Sequence, residues 1–234
     1  MQDLITGNKL NALLIAGTDA RVGKTLLTVM LAAYWQRYYP ARPLGIYHPV
    51  QCGNRELYTS WFSLEQTAEE TNPLHFQAPL VPPIAAERQG ERVKLKSLWQ
   101  SFEHLSQQKE FVLMDSWGGL GSPMTRETTL ADLAWDWRLP VVLVVPVSPG
   151  TIAQAVANVT LAKFARVNLK GLILNCIHPC HKHELEDWAE VDLLQGLTNK
   201  PVLGCIPHLE DPTDLNKLVQ VASDLNLERL IPLH

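Results

Sequence analysis

Short, almost continuous apolar runs recur along the chain, and most are followed by a segment whose apolar residues repeat with helical spacing. Apolar runs of about four to eight residues are typical of strands that are buried on both faces of a parallel sheet. The predicted strands are Leu13 to Ala16, Leu44 to Tyr47, Phe111 to Met114, Val141 to Val147, Leu169 to Leu174 and Val202 to Ile206.

The segments between these runs predict helices that cover both faces of the sheet. The predicted helices are Gly23 to Arg37, Glu56 to Glu70, Lys94 to Glu103, Leu130 to Trp137, Ile152 to Phe164, His183 to Leu197 and Asp214 to Leu225. The proline-rich segment Pro73 to Pro83 is interpreted as a loop, because the strands on both sides of it are needed to complete one sheet. The pattern predicts an α/β fold with a mostly parallel sheet, in which residues 1–234 form a single domain.

The composition excludes several classes of protein. The 234 residues carry a formal charge of −4, which argues against nucleic acid as the main partner. No apolar run reaches the roughly 18 residues of a membrane span, so no membrane partner is expected. The amino-terminal stretch predicts a first strand rather than a signal peptide. Four cysteines are too few for a disulfide framework, which indicates a reducing, cytoplasmic setting.

The segment GTDARVGKT, Gly17 to Thr25, lies between the first predicted strand and the first predicted helix. Backbone N–H groups of such a loop and the helix amino terminus can bind phosphate, Lys24 can reach the outer phosphates, and the Thr25 hydroxyl can bind Mg²⁺. The strict pattern G-x-x-x-x-G-K-[ST] is not met, because Thr18 stands where its first glycine is expected. The alternative is a chance Gly-Lys-Thr at a helix start; the position between strand and helix favours a P-loop NTPase-like nucleotide site.

The same loop resembles GTDxxVGKT, the opening signature of the dethiobiotin synthetase family. Further segments resemble motifs of that family in the same order over nearly the whole chain. They are YHPVQCG at Tyr47 to Gly53, PLVPPIAAERQG at Pro79 to Gly90, MDSWGGLGSP at Met114 to Pro123, and the segments Leu139 to Val159, Leu169 to Pro179 and Gly204 to Glu210. Several short matches in the correct order are more specific than any one of them.

The resemblance implies an ATP- and Mg²⁺-dependent ring closure of 7,8-diaminopelargonate with CO₂, which gives dethiobiotin, ADP and phosphate. One amine would take up CO₂ as a carbamate, whose oxygen attacks the γ-phosphorus of ATP. The second amine would then close the ring on the carbamic-phosphoric anhydride and expel phosphate. The resemblance also implies a homodimer, in which the second subunit helps to bind the substrate carboxylate.

The family's functional positions can be carried over to matching residues of this chain. The resemblance implies that Lys24 and His48 act in catalysis. It also implies that Thr25, Glu56 and Asp115 bind the metal. The nucleotide-binding positions are Asp19, Ala20, Arg21, Val22, Gly23, Lys24, Thr25, Asn175, Pro207, His208 and Leu209, with Asn175 expected at the adenine. The substrate-binding positions are Thr18, Cys52, Pro82, Gly118, Gly150 and Thr151.

The chain departs from the family most clearly at His48, where the family has a lysine directed at the carbamate and the γ-phosphate. Histidine is shorter, and its ordinary pKa of about 6.5 makes its charge depend on its surroundings. His48 is either a working substitute or the mark of a nucleotide-binding paralogue with weakened or lost activity. Cys52 replaces the usual Ser or Thr, and the two metal-site acids, Glu56 and Asp115, are exchanged in length.

A partitioning-type ATPase of the same superfamily is a further alternative. Such proteins usually carry a second lysine in the phosphate loop, near the positions of Asp19 or Ala20, and this chain has none there. The acidic charge balance also predicts no basic face for DNA.

Overall fold

The structure is a computed structural model that describes residues 11–53, 58, 61–62 and 64–232. The strands are β1 (Ala12–Gly17), β2 (Leu44–Tyr47), β3 (Val50–Cys52), β4 (Leu74–Phe76), β5 (Phe111–Gly119), β6 (Pro140–Pro146), β7 (Asn168–Asn175) and β8 (Val202–Ile206). The helices are α1 (Lys24–Tyr38), α2 (Ala68–Thr71), α3 (Pro82–Arg88), α4 (Leu95–Gln108), α5 (Leu130–Asp136), α6 (Thr151–Phe164), α7 (Lys182–Trp188), α8 (Val191–Thr198) and α9 (Leu215–Ser223).

Six strands form the main sheet in the order β2-β5-β1-β6-β7-β8, and every pairing between them is parallel. A separate pair, β3 and β4, is also parallel. β1 lies between β5 and β6, so the loop after β1 starts at the middle of the carboxyl edge of the sheet. Ligands of open α/β sheets bind at this edge.

Both faces of the sheet are covered, as the sequence predicts. Leu13 and Ile15 of β1 pack on one face, in a cluster that includes residues of α1 and α9. Leu14 and Ala16 point to the other face, in a cluster that includes residues of α4, α5 and α6. Because neighbouring strand residues point to opposite faces, a strand covered on both sides is apolar at every position, which explains the continuous apolar runs.

All six strands predicted for the sheet are present, and β5 extends five residues beyond its predicted end, from Met114 to Gly119. The loop prediction for Pro73 to Pro83 is wrong in part, because β4 lies inside it and α3 begins at Pro82. The short β4 is formed by pairing with β3 rather than by a strong apolar pattern of its own. Tertiary pairing of this kind is not visible in a local sequence pattern.

Two helix predictions are wrong. Within Glu56 to Glu70, residues 61–62 and 64–67 are not helical; α2 begins at Ala68, where the Thr67 side chain caps the helix. The Gln66 amide hydrogen-bonds the backbone of Ile46 in both directions, which holds this segment against β2 instead. The predicted helix His183 to Leu197 is divided into α7 and α8, because Glu190 accepts hydrogen bonds from backbone N–H groups and starts a new helix.

Among the described residues, none of the helices combines the length and the apolar character that crossing a membrane would require.

Candidate active site

The phosphate loop closes around the side chain of a lysine. Lys24 is buried, and its Nζ donates a hydrogen bond to the carbonyl oxygen of Asp19, 2.8 Å away across the loop. The Asp19 carboxylate accepts from the N–H of Ala20, and Arg21 adopts a left-handed backbone conformation with φ +59°. The lysine ammonium is therefore held inside a turn of backbone, the arrangement that binds the phosphates of a nucleotide.

Gly23 is the residue at which the loop turns into α1. Its φ is +99°, and a Cβ atom at this position would lie 2.0 Å from Nδ2 of Asn175. That Nδ2 donates to the carbonyl oxygen of Val22 at 2.8 Å, so Asn175, the last residue of β7, supports the loop. Only glycine fits both the backbone conformation and the contact.

Asp115 is the centre of a buried polar cluster beside the loop. It lies on β5 opposite Ile15 of β1, and its Oδ2 accepts a 2.8 Å hydrogen bond from the Thr25 hydroxyl. The Tyr58 hydroxyl donates to the same oxygen, and Nδ1 of His48 lies 3.6 Å from it. The other oxygen, Oδ1, is buried and has no hydrogen-bond partner among the described residues.

The charge of Asp115 follows from these contacts. Complete burial by itself raises the pKa of this carboxyl, but His48, the Tyr58 hydroxyl and the Lys24 ammonium together hold the pKa below its ordinary value. Asp115 is therefore ionised at neutral pH. A carboxylate with one unpartnered oxygen, next to the hydroxyl of Thr25, fits the hard oxygen ligands that Mg²⁺ prefers.

His48 follows β2 and reaches the cluster from the far side of β5. Its side chain is buried, and neither ring nitrogen has a hydrogen-bond partner within the part of the chain that the structure describes. Its backbone N–H donates to the Thr71 carbonyl oxygen at 2.7 Å, which fixes the end of β2. The ring is thus positioned by the backbone, with Nδ1 3.6 Å from Oδ2 of Asp115.

A cleft of about 460 Å³ opens next to the phosphate loop. Its lining includes Thr18 and Asp19 of the loop. It also includes Gly119, the last residue of β5, and Ser122 shortly after it. Gly118 has φ +72°, and a Cβ there would lie 2.1 Å from the Ser122 hydroxyl, so glycine is required at this turn. The Thr18 hydroxyl lies 3.3 Å from Oε1 of Gln154, which joins the loop to α6.

The other predicted substrate residues have different surroundings. Gly150, with φ +95°, is exposed at the start of α6, and no atom would crowd a side chain there. The Thr151 hydroxyl is buried and is bonded to the turn itself, with Pro146 and Ser148 as its partners. The Thr151 hydroxyl therefore shapes the helix start, and the role of Thr151 toward the substrate stays a prediction.

Cys52 and Pro82 lie in the region of the small β3–β4 sheet. Cys52 ends β3, which contacts β5, and burial raises the pKa of its thiol to about 11. It is consequently a neutral thiol at physiological pH and a weak hydrogen-bond donor. Pro82 is buried as the first residue of α3, where a proline costs no helix hydrogen bond.

The predicted base-binding residues lie where β7 and β8 end. The Cys176 N–H donates to Ile206 at 2.9 Å and joins the two strand ends. Pro207 and His208 are exposed just beyond, Leu209 is half-buried, and Nδ1 of His208 lies 2.9 Å from the Ile177 carbonyl oxygen. Asn175 connects this end to the phosphate loop; Oδ1 of its amide is buried and has no partner among the described residues.

Comparisons with known proteins agree with this geometry. A family model described as an AAA domain matches residues 11–215. A protein of Gloeothece citriformis named ATP-dependent dethiobiotin synthetase BioD is 50% identical over 224 residues, which cover 95% of this chain and 99% of that protein. A protein of the same name from Crocosphaera subtropica is 46% identical, covering 94% and 100% of the two chains. The chain belongs to the dethiobiotin synthetase family.

Solved structures confirm the fold. The MinC:MinD cell division complex of Aquifex aeolicus matches with a TM-score of 0.57 and 15% identity, covering 96% of this chain and 98% of that chain. A ParA family ATPase of Chlorobium tepidum matches with a TM-score of 0.56 and 11% identity, covering 96% and 93% of the two chains. At such identities the likeness concerns the P-loop fold alone.

Within this dethiobiotin synthetase family chain, the structure brings together Lys24, Thr25, His48 and Asp115, as the sequence predicts. Glu56, the third predicted metal ligand, lies outside the described residues. Sequence reasoning missed Tyr58, whose hydroxyl reaches Asp115. No sequence motif marks this tyrosine; only the contact of its hydroxyl with Asp115 of β5 in the folded chain reveals it.

Replacing Gly23 with alanine tests the loop geometry. The added methyl would meet Asn175 and impose a left-handed conformation on a non-glycine residue, so we expect unfolding free energy to fall by about 1–3 kcal/mol and nucleotide binding to weaken sharply. Denaturant titration measures the free energy of unfolding, and calorimetry measures nucleotide binding.

Gly196→Ala is the control: no atom would crowd a Cβ there, and α8 should become more stable by about 0.5–1 kcal/mol. Unchanged nucleotide affinity in Gly23→Ala would contradict the assigned role of the loop.

Proposed function

We propose that this chain makes dethiobiotin from 7,8-diaminopelargonate, CO₂ and ATP, using the cluster at the carboxyl edge of β1, β2 and β5. The observation that carries the proposal is the convergence of Lys24, Thr25 and His48 on the buried Asp115, directly beside the phosphate loop. Relatives that are 40–50% identical over nearly the whole chain are named ATP-dependent dethiobiotin synthetase BioD, which supports the proposal.

The loop supplies phosphate binding. We assign the backbone N–H groups from Asp19 to Thr25 to the triphosphate and the Lys24 ammonium to its outer phosphates. The ammonium would exchange its hydrogen bond to the Asp19 carbonyl for phosphate oxygens. Positioning of this kind, with cations that neutralise the developing charge, is the main source of catalysis in phosphoryl transfer.

Asp115, Thr25 and Glu56 would hold Mg²⁺. The unpartnered Oδ1 of Asp115 and the adjacent Thr25 hydroxyl support the first two assignments. When bound, Mg²⁺ would neutralise charge on the phosphate oxygens of ATP. The Tyr58 hydroxyl and His48 both lie at Oδ2, so these two side chains orient the carboxylate, and the unpartnered Oδ1 would be the oxygen that holds the metal.

His48 would direct its imidazole at the carbamate and the transferred phosphoryl group. Nδ1 faces Oδ2 of Asp115, and Nε2 has no hydrogen-bond partner in the described residues, so Nε2 is the nitrogen that we assign to the ligand. The diamine would lie along the cleft of about 460 Å³ that begins at Thr18, with Gly118, Cys52 and Pro82 in its surroundings. The open start of α6 at Gly150 would receive its carboxylate, with Thr151 as a positioning residue.

Asn175, Pro207, His208 and Leu209 would hold the adenine, since all four lie at the joined ends of β7 and β8.

We further propose a homodimer of single-domain subunits, on the basis of the family resemblance, and a cytoplasmic location. Four free cysteines support a reducing compartment.

Product analysis tests the proposal. Purified protein given the diamine, bicarbonate, Mg²⁺ and ATP should release ADP and dethiobiotin in equal amounts, and omission of the diamine should abolish both. Nucleotide binding without either product would show the second candidate, a paralogue that has lost the synthetase reaction. The observation that favours this second candidate is His48 itself, which stands where the family has lysine. ATP hydrolysis that responds to DNA and ignores the diamine would instead show a partitioning-type ATPase.

Substitutions of His48 separate the two interpretations of this residue. If the imidazole stabilises the transition state, His48→Ala should lower kcat/KM by about 10²-fold, the usual effect of removing one such donor, while His48→Lys should stay within about tenfold of the parent. Steady-state assays of dethiobiotin measure both, with the exposed His104→Ala of α4 as the control. A large gain in His48→Lys would show that histidine impairs the site, and full activity of His48→Ala would remove the residue from the mechanism.

A further inference from the structure

A second cleft, of about 380 Å³, opens at the amino-terminal edge of the sheet, opposite the edge that carries the phosphate loop. It lies where β6 and β7 begin side by side, with Pro140 paired to Asn168. Its lining includes Trp135, Asp136, Arg138 and Arg166. None of these residues belongs to the site described above.

The two arginines occupy the same position in two successive helix ends. After α5, the Arg138 N–H donates to Trp135 at 3.0 Å and the next N–H donates back to Ala134 at 2.9 Å. After α6, the Arg166 N–H donates to Lys163 at 3.1 Å and the next N–H donates back to Ala162 at 2.8 Å. Both are complete Schellman motifs, and each arginine is the left-handed residue that ends its helix.

Arginine is an unfavourable choice for the backbone at both places. Arg138 has φ +53° and Arg166 has φ +59°, a conformation for which glycine and asparagine are preferred. A cation near a helix carboxyl terminus interacts favourably with the helix dipole. A residue in the last turn provides this interaction without backbone strain, as Lys163 does in α6. The backbone therefore does not explain why both positions carry arginine.

The cleft is arranged to attract an anion. Neither Arg138 nor Arg166 forms an ion pair within the described residues, although Asp136 also lines the cleft. Asp136 balances only one of the two guanidinium charges that line the cleft, and the planar forks of the arginines match phosphate or carboxylate. The Trp135 side chain is 50% exposed, which offers a flat apolar surface in the same wall.

We propose that this cleft binds a small organic anion, in which a phosphate or carboxylate contacts Arg138 and Arg166 and a planar ring stacks on Trp135. The site is separate from the nucleotide site, so the proposal does not depend on the proposed function. The Asp136 carboxylate lies in the same cleft and repels an anion. The variant Asp136→Asn should therefore bind the anion more tightly.

Phenyl phosphate is a suitable probe, with inorganic phosphate for comparison. In the protein labelled with ¹⁵N-tryptophan and saturated with ADP and Mg²⁺, the indole N–H signal of Trp135, assigned from Trp135→Phe, should shift and saturate below about 10 mM. Phenyl phosphate should bind more tightly than inorganic phosphate, and Trp135→Ala should remove that difference. The double variant Arg138→Gly, Arg166→Gly should lose binding at least tenfold, whereas Arg229→Gln, which removes an arginine outside the cleft, should not.

The same double variant gives a second, independent readout. Because glycine relieves two left-handed arginines, the melting temperature should rise by about 2–4 °C for each substitution while dethiobiotin formation stays unchanged. A lower melting temperature would show that the arginines serve the fold, and the proposal would be wrong. A Trp135 signal that does not move, or that moves equally in the double variant, would also overturn it.

Discussion

Replacing Lys24 with alanine should lower kcat/KM for dethiobiotin formation by about 10³-fold or more, because its ammonium, held inside the loop, is the cation that we propose for the outer phosphates. The loss should fall mainly on kcat, since the charge that lysine neutralises grows in the transition state. Lys24→Arg should recover little activity, because a guanidinium is too large for the buried place between Asp19 and the start of α1.

Steady-state assays of ADP and dethiobiotin measure this effect, and the exposed Lys96→Ala of α4 controls for the loss of one positive charge. Circular dichroism should show that Lys24→Ala remains folded, since the hydrogen bond of Lys24 to Asp19 lies within a loop and not within a helix or strand. A folded Lys24→Ala protein with more than a tenth of the parent activity would contradict the proposed phosphate site.

Replacing Asp115 with asparagine should also lower kcat/KM by about 10³-fold, equivalent to about 4 kcal/mol of transition-state stabilisation. The amide keeps the shape of the side chain but removes the negative charge at the buried Oδ1 that is assigned to Mg²⁺. The apparent affinity for Mg²⁺ should therefore fall together with the rate. The exposed Asp224→Asn at the end of α9 is the control.

Titration with Mn²⁺, followed by electron paramagnetic resonance in the presence of ATP, separates a metal defect from a folding defect. The parent should bind one tight Mn²⁺ in the ATP complex, and Asp115→Asn should bind it at least tenfold more weakly. Equal Mn²⁺ affinity in a folded Asp115→Asn protein would assign the carboxylate to another role, such as holding Tyr58 and His48 in place.

The strands and the phosphate loop could be predicted because their signals are local. A strand buried on both faces is apolar throughout, as β6 is, and a loop that binds phosphate needs glycine and lysine at fixed spacing. The predicted meeting of His48, Thr25 and Asp115 came from motif resemblance and agrees with the order β2-β5-β1 in the sheet. Parallel neighbours bring their carboxyl ends, and therefore these side chains, to one edge.

The parts that sequence reasoning missed depend on contacts between distant segments. The predicted helix from Glu56 failed because Gln66 binds the backbone of β2, an interaction that helical spacing does not reveal. Thr151 stays a predicted substrate residue, and the hydrogen bonds of its hydroxyl within its own turn are visible only in the three-dimensional path of the chain. The resemblance predicts Asn175 at the adenine. The structure shows that Asn175 also supports the phosphate loop through its hydrogen bond to Val22, a contact that no motif indicates.

The contact between Asn175 and Val22 has a consequence for discrimination among nucleotides. The residue expected at the purine also contacts the turn proposed to bind the triphosphate, so the two proposed binding regions are directly connected. We expect that a triphosphate with an ill-fitting base would shift the Asn175 amide, and that its hydrogen bond to Val22 would pass this shift on to the turn. Selectivity among bases should then appear in the turnover rate as well as in the affinity, and a substitution far from the reacting phosphorus could change it.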